Sequence, residues 1–430
     1  MDLSSQETNP QIGSWRAWFI WSLAALTFGY AFFQRVVPSV MVQDLMAEFA
    51  ISATVLGTLS SLYFYPYVVL QIPLGVLIDR WGARLLLTIA LTIAGLGSAL
   101  FATATSVEVA YIGRFVIGVG SAVGFLGSLA IASKWFPQNR FALLAGMVMF
   151  FGMMSAVLAQ GPLATLVDSY GWRGVIWGLG VSGLVLAAMI ALFVRNSPEE
   201  TTKSNAAPKQ SWKMIGQGFK EAASDWNVWK IALVACTMSG PMLTLGALWG
   251  TPYMQAAYGL DRATAASSVS ILFFAWALGA PFAGWLSDRI KKRKALLVAG
   301  SAILTLTMGV LVFGPTLPLT LSLVAFAIIG ASGGAMAVTF ALVRECSPSH
   351  VSTSVTGIVN SLTVASGAVL QPVVGYLLDL LWSGKMQGGI PVYQASEYRS
   401  AFIAIFIACL AGFLITLSLR ETPFWNSDTK

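Results

Sequence analysis

An all-α integral membrane fold, with twelve transmembrane helices in two pseudo-symmetric six-helix halves, is predicted by three features of this 430-residue chain. Its residues are 57% hydrophobic and only 10% charged, with a mean hydropathy of +0.75. Soluble domains carry about a quarter charged residues. Apolar runs of about 20 residues, long enough to cross a ~30 Å hydrocarbon layer, recur between polar breaks. The loop sequence GVLIDRWGAR at 75–84 also returns as GWLSDRIKKR at 284–293.

Spans 1 and 2 are expected at 16–41 and 54–77, and Asp79, Arg80 and Arg84 separate the second from span 3 at 83–104. Span 4 (109–133) ends before Lys134, and Arg140 precedes span 5 (141–166). Arg173 opens span 6 (173–194). The polar stretch VRNSPEETTKSNAAPKQ (194–210) then reads as a linker. The chain thereby divides into an N-terminal half at 1–194, a linker region at 195–227 and a C-terminal half at 228–430. After the polar stretch, Trp212, Ile215, Phe219, Ala222, Trp226 and Trp229 recur at helical spacing, with Lys213 and Lys220 between them. That pattern fits an amphipathic helix on the membrane interface and, equally, an extension of span 7. Spans 7 (228–256) and 8 (264–286) flank Arg262, and the basic run 291–294 precedes span 9 (295–314). Spans 10 (318–343), 11 (353–381) and 12 (399–419) complete the set.

The formal charge of +7 is a topology signal rather than a nucleic-acid footprint. With both termini in the cytoplasm, nineteen of the 25 Lys and Arg residues fall on that side. Arg173, Arg262, Lys385 and Arg399 fall on the other, and only Arg35 and Arg114 lie in the hydrocarbon. Short loops point to a bacterial inner membrane. The N-terminal MDLSSQETNPQIGS lacks a basic region and a cleavage site, so no cleavable signal peptide is expected. Cys236, Cys346 and Cys409 have neither pairing nor metal-ligand spacing, so neither a disulfide nor a metal is expected. No nucleotide-binding loop appears, which leaves ATP-driven transport unsupported and calls for no cofactor. A monomer in the lipid bilayer, acting on a small-molecule substrate without enzymatic chemistry or nucleic acid, is the expected working unit.

The halves repeat beyond the one loop. Gly75, Asp79, Arg80 and Arg84 match Gly284, Asp288, Arg289 and Arg293 at an offset of 209. Pro137, Gly146, Gln160 and Asp168 match Pro348, Gly357, Gln371 and Asp379 at an offset of 211. Duplicated halves are the architecture of alternating-access transporters, with the solute site near midplane between them.

GVLIDRWGARLLL resembles the loop 2–3 signature of the major facilitator superfamily, G-x-x-x-D-R-x-G-x-R, and its degraded copy falls at loop 8–9. GRFVIGVGSAVGF (113–125) and KWFPQNRFALLAG (134–146) resemble the family's fourth span and the loop after it. The resemblance covers all twelve spans. It implies conformational roles for Asp79, Arg80, Arg84, Asp288 and Arg289, with Asp79 meeting the N-terminus of span 11, where a carboxylate complements the helix dipole. Arg114 belongs to the fourth-span pattern and is expected to pack against neighbouring backbone. YAFFQRVVPSVM and LGTLSSLYFYPYVVLQIPLG are most similar to the anion:cation symporter group, which includes organophosphate, sugar-acid and phthalate-type carriers. In that group an Asp-Arg pair marks the first helix, and the arginine meets the anionic group of the substrate. Here Arg35 keeps the arginine, while Gln34 replaces the Asp and Ser121 the usual fourth-span Glu. Both carboxylates that would carry protons are absent.

Arg35 poses the sharpest question. An arginine near midplane costs roughly 2.5–3.5 kcal/mol, and no acid lies within a turn or two. It either meets an anionic solute, caps carbonyls near Pro38, or snorkels outward. Tyr63, Tyr67 and Gln71 recur four apart on span 2, and Asn360, Thr363 and Ser366 share a stripe of span 11. Gln160 and Gln371 are symmetry mates that either face the cavity or bond between helices. The expected substrate set is Arg35, Tyr63, Tyr67, Gln160, Asn360 and Gln371. The expected activity is secondary transport, by uniport or exchange, of a small organic solute bearing a carboxylate or other anionic group, amino acids and short peptides included. The competing class is a multidrug-type efflux carrier; Gly152 and Gly161-Pro162 match its fifth-helix glycine pattern, but Val157 interrupts it.

Overall fold

The computed structural model describes residues 13–198, 212–348 and 351–421. Twelve helices among the described residues are long and apolar enough to cross a membrane. Spans 1 to 6 are Trp15–Val40, Ala53–Gln71, Ala83–Ala102, Val107–Trp135, Gln138–Leu158 and Gly161–Phe193. Spans 7 to 12 are Trp226–Tyr258, Arg262–Ile290, Arg293–Phe313, Leu319–Glu345, Ser354–Leu381 and Ala395–Leu417. Gly171, with φ 70° and ψ 159°, breaks the run Gly161–Phe193. Only glycine takes that conformation without strain, so the chain reverses there. The fifth crossing therefore continues to about 170, carrying Gln160 and Asp168, and the sixth starts at about 172.

The linker resolves into its own short helix, Trp212–Ser224. Asp225 ends it, and its carboxylate accepts from the backbone N–H of Asn227 at 2.8 Å to start the next helix. This is an N-cap, so span 7 does not simply extend backward. The short helix rests at Gly218 against Val351 and Ser354, beside the start of span 11. The linker residues 199–211 lie outside the described residues.

Several spans are interrupted in mid-course, and the interruptions fall in matching places of the two halves. Span 1 tightens to a 3-10 turn at Val37–Val40, started by Pro38, and span 7 widens to a π-helix at Met242–Trp249, just after Pro241. Span 4 breaks after Ser121, and span 10 turns 3-10 at Ala335–Ala337. Freed backbone groups are tolerated at membrane depth only where protein or a lined cavity satisfies them. Broken helices in corresponding positions are also the usual surroundings of a carrier's binding site.

Spans 2 and 11 come into backbone contact at the end of the molecule away from the Gly75–Arg84 loop. A Cβ added at Gly57 would lie 2.6 Å from the Gln371 carbonyl, and one at Gly375 would strike the carbonyl of Ala53. At the loop end, a Cβ at Gly75 would meet nothing within 4 Å among the described residues. The halves are thus closed together at one end.

Candidate functional site

Arg35 lies on the last turn of the straight part of span 1, one turn before Pro38, and is 3% exposed. Four rings surround its guanidinium. Its Cζ is 4.2 Å from the Phe32 centroid, 5.1 Å from Tyr67 and 5.7 Å from both Tyr63 and Phe64. Desolvated cation–π contacts of this kind are worth ~0.5–2 kcal/mol each. Two of the guanidinium's directional donors are left over: Nε and Nη2 have no hydrogen-bond partner among the described residues. No ion pair includes Arg35 there either. Nor does it snorkel, since it stays buried.

The box is held by Arg114, which is fully buried. Arg114 donates from Nη1 to the Gln34 carbonyl at 3.0 Å and from Nη2 to the Ser60 carbonyl at 3.4 Å. It thereby joins spans 1 and 2 at the level of the Leu62–Tyr63 turn. Tyr63 is sandwiched, with Arg114 Cζ 5.3 Å from its ring and its hydroxyl donating to the Ala31 carbonyl at 2.8 Å. Tyr67 stacks on Tyr63 at 6.3 Å. Gln34 points elsewhere: its Nε2 donates to Tyr30 and Ser98, both at 2.8 Å, against span 3. Below the box, Gln71 donates to the Ala122 carbonyl at the span 4 break and accepts from Asn360 Nδ2 at 2.8 Å. That contact links span 2 to span 11 across the halves. Thr363 and Ser366 instead face Ser239 of span 7: the Ser239 hydroxyl donates to the Thr363 carbonyl at 2.9 Å and lies 3.1 Å from that of Ser366.

The symmetry-related glutamines both reach the π-helical turn of span 7. A π turn misaligns carbonyls from their ordinary donors. Gln371 Nε2 donates to the Leu243 carbonyl and Gln160 Nε2 to the Gly246 carbonyl, each at 2.7 Å. The Gln160 Oε1 accepts from Thr251 at 3.2 Å and Ser39 at 3.4 Å, so it also ties span 5 to the ends of spans 1 and 7. In this conformation their amide donors are interhelical. The Gln371 Oε1 and the Thr244 hydroxyl beside it have no partner among the described residues.

Two pseudo-symmetric carboxylates close the far end. Asp379, near the end of span 11, accepts from the backbone N–H groups of Ala53 and Thr54 at 3.0 and 2.8 Å. It also accepts from the hydroxyls of Ser52 at 2.6 Å and Thr54 at 2.5 Å, and from that of Tyr393. It acts as a cap, supplied by the other half, on the N-terminus of the helix Ala53–Ser61. Burial and the hydrogen bond to Asp379 push the Tyr393 phenol far above its usual range. Asp168 is the counterpart: Arg262, the first residue of span 8, pairs with it at 3.3 Å and with Asp44 at 2.7 Å. None of Asp44, Ser52 or Arg262 stands out as a motif. The matching of Asp168 with Asp379 in the repeat was the one signal that pointed here.

At the loop end, Asp79 and Arg80 are exposed, and Asp79 has no hydrogen bond or ion pair among the described residues. Arg84 ties span 3 to the end of span 6, its backbone N–H on Asn196 at 2.9 Å and its Nη2 on the Ala191 carbonyl. In the other half, Asp288 pairs with Arg293 at 2.5 Å, Arg293 with Glu345 at 2.9 Å, and Arg289 lies over Trp285 at 5.5 Å.

A probable sulfoacetate transporter, SauU, of Cupriavidus necator is 26% identical over 297 residues, 66% of this chain and 68% of its own. A probable galactarate/D-glucarate transporter, GudP, of Bacillus subtilis is 21% identical over 91% of each chain. A bacterial homolog of the human lysosomal transporter Spinster, in its inward-facing and occupied conformation, superposes with a TM-score of 0.75. That likeness covers 94% of this chain and 98% of the other at 17% identity, and it speaks to fold alone. The relatives are transporters rather than enzymes, and organic-acid carriers are prominent among them. The model of the Major Facilitator Superfamily matches residues 23–372, and this chain belongs to that family.

Proposed function

We propose that this protein is an alternating-access carrier of a small organic acid, and that Arg35 binds the carboxylate or other anionic group of that solute. One observation carries the reading. A guanidinium sits at membrane depth in an aromatic box, with Nε and Nη2 unpartnered and no acid paired to it. Those two nitrogens lie on one edge of the planar fork, which is the edge a carboxylate meets bidentately. The missing counter-ion is then the solute itself. Names of the relatives, sulfoacetate and galactarate or glucarate carriers, support the same class.

Uniport or solute exchange is the favoured coupling. The residue beside Arg35 is an amide, Gln34, engaged with Tyr30 and Ser98, and Ser121 stands on span 4. A proton-driven carrier needs a titratable group inside the membrane. The basic loop end is assigned to the cytoplasm, so the conformation described is inward-facing: Asp379 and Arg262 hold the outer end shut, and Asp79 waits to dock on span 11 when the cycle reverses. Purified protein tested by thermal shift against carboxylates, sulfonates, sugar acids, amino acids and dipeptides examines the reading, since a ligand raises apparent stability by mass action. Organic acids should stabilise the wild type and leave Arg35→Gln unmoved. Stabilisation only by neutral or cationic compounds would sink it.

A further inference from the structure

Spans 9 and 12 pack together, with the Phe313 and Phe406 rings 5.1 Å apart, but leave their outward side open. Between them lies a groove of about 650 Å³ on the lipid-facing side, in the half of the membrane away from the basic loops. Its floor is set by small residues, Ala302 and Gly309, seven apart on span 9. Leu306, Phe313, Phe406 and Leu410 wall it, and Leu306 and Phe313 are more than half exposed. An added Cβ at Gly309 would lie 3.2 Å from the Phe406 ring, so glycine lets that ring pack against span 9 and adds no bulk to the groove. Such a surface would leave a void if nothing filled it, and unfilled apolar space forfeits dispersion contacts on both sides.

Arg399 stands at the outer rim. Its guanidinium donates to the carbonyls of Leu311, Val312 and Gly314 and to the hydroxyl of Thr316 at 3.2 Å, bracketing the groove residues Phe313 and Gly314. All four acceptors are uncharged, and no ion pair among the described residues includes Arg399. The end of span 9 offsets part of the charge, since a helix C-terminus carries roughly half a negative elementary charge. A net positive charge remains at headgroup level, directly above an apolar slot. We infer that this groove binds one acyl chain of a phospholipid from the leaflet opposite the basic loops, with the lipid phosphate held at Arg399. A second copy of the protein fits less well, because a two-fold pairing through one face brings the same patch, Arg399 included, against itself.

The test uses the full chain reconstituted in vesicles of phosphatidylethanolamine and phosphatidylglycerol, then extracted in mild detergent for native mass spectrometry. The wild type should retain one phospholipid more than Gly309→Phe, which fills the slot. Losing the contact of even two methylenes is worth about tenfold in affinity, so retention in Gly309→Phe should fall roughly tenfold. Arg399→Lys should keep the lipid and Arg399→Gln should release it. If Arg399→Gln fails to fold, Ala302→Phe provides a second filling variant that leaves the rim intact. Retention by folded Gly309→Phe equal to the wild type overturns the assignment. So does a wild-type dimer that Gly309→Phe converts to a monomer, which would make the occupant another copy.

Discussion

At Arg35, two requirements are met by different groups. The aromatic rings of Phe32, Tyr63, Phe64 and Tyr67 make a buried cation tolerable, while on the proposed function its unpartnered Nε and Nη2 would receive the anion. Arg35→Gln should fold, because the box packs around Tyr63 and Arg114, yet weaken binding of an organic acid by roughly 100-fold or more through the loss of two charge-assisted hydrogen bonds. Arg35→Lys should fall between, since a point charge does not replace the fork. Calorimetric titration with whichever acid the thermal screen identifies reads both, and wild-type affinity in Arg35→Gln would refute the role. Gln34→Asp would set a carboxyl against Tyr30 and Ser98, next to the Arg114-bonded carbonyl. Uptake into vesicles should then acquire a dependence on the pH gradient that the wild type lacks; the same flat profile in both proteins would count against it.

Among the elements, the cap of Asp379 on the helix Ala53–Ser61 is the contact that holds spans 2 and 11 at the closed end. The resemblance placed such a cap at the other end, between Asp79 and span 11. In the proposed cycle each end would close by a carboxylate on a helix N-terminus. Asp379→Asn should therefore shift the population toward the state open at this end, by ~0.5–2 kcal/mol for a charge at a helix terminus. Asp79→Asn should shift it the other way. Spin labels at Gln43 and Ala256, one in each half, report the distance: it should lengthen in the first variant and stay short in the second. Equal distances in both would remove the gating role. Tyr393 adds a pH limit. Its phenol titrates ordinarily near 10.0 and is raised in the folded protein by burial and by Asp379. The folded form then binds the proton more tightly, so its contribution is complete below pH 10 and declines as pH rises above the unfolded value. Thermal melts of Tyr393→Phe should lose less stability than the wild type between about pH 10 and 11. Parallel losses would show that Tyr393 does not set the limit.

For the whole molecule, the arrangement depends on which end faces the cytoplasm. Basic residues concentrate at the Gly75–Arg84 end, and on the proposed orientation that end lies in the cytoplasm. Lys220, on the helix Trp212–Ser224, and Gln387, in the hairpin before span 12, are both exposed and lie at opposite ends. With the native cysteines removed, Gln387→Cys should react with an impermeant thiol reagent in intact cells and Lys220→Cys only after lysis. The reverse pattern would invert the assignment of inward-facing to this conformation.

The repeated residues of loops 2–3 and 8–9 marked the doubled halves. Composition and apolar-run length determined the membrane class and the twelve spans, because water and lipid sort residues over lengths of ~20 residues wherever the chain later packs. They also isolated Arg35, since an unpaired charge in an apolar run is visible without coordinates. The tertiary structure decided everything that depends on which helix faces meet. Gln160 and Gln371 could be read as cavity-lining or interhelical, and only the π turn of span 7, exposing the Leu243 and Gly246 carbonyls, shows where their amides go. Gln34 follows Arg35 no further than its neighbouring position on the helix, for a step of about 100° sends it to span 3. Asp379 looked like a charge ending a span until Ala53 and Thr54, more than 320 residues away, supplied the helix end it caps. Pairings across such separations are chosen by the packing of whole helices, and no local pattern encodes them.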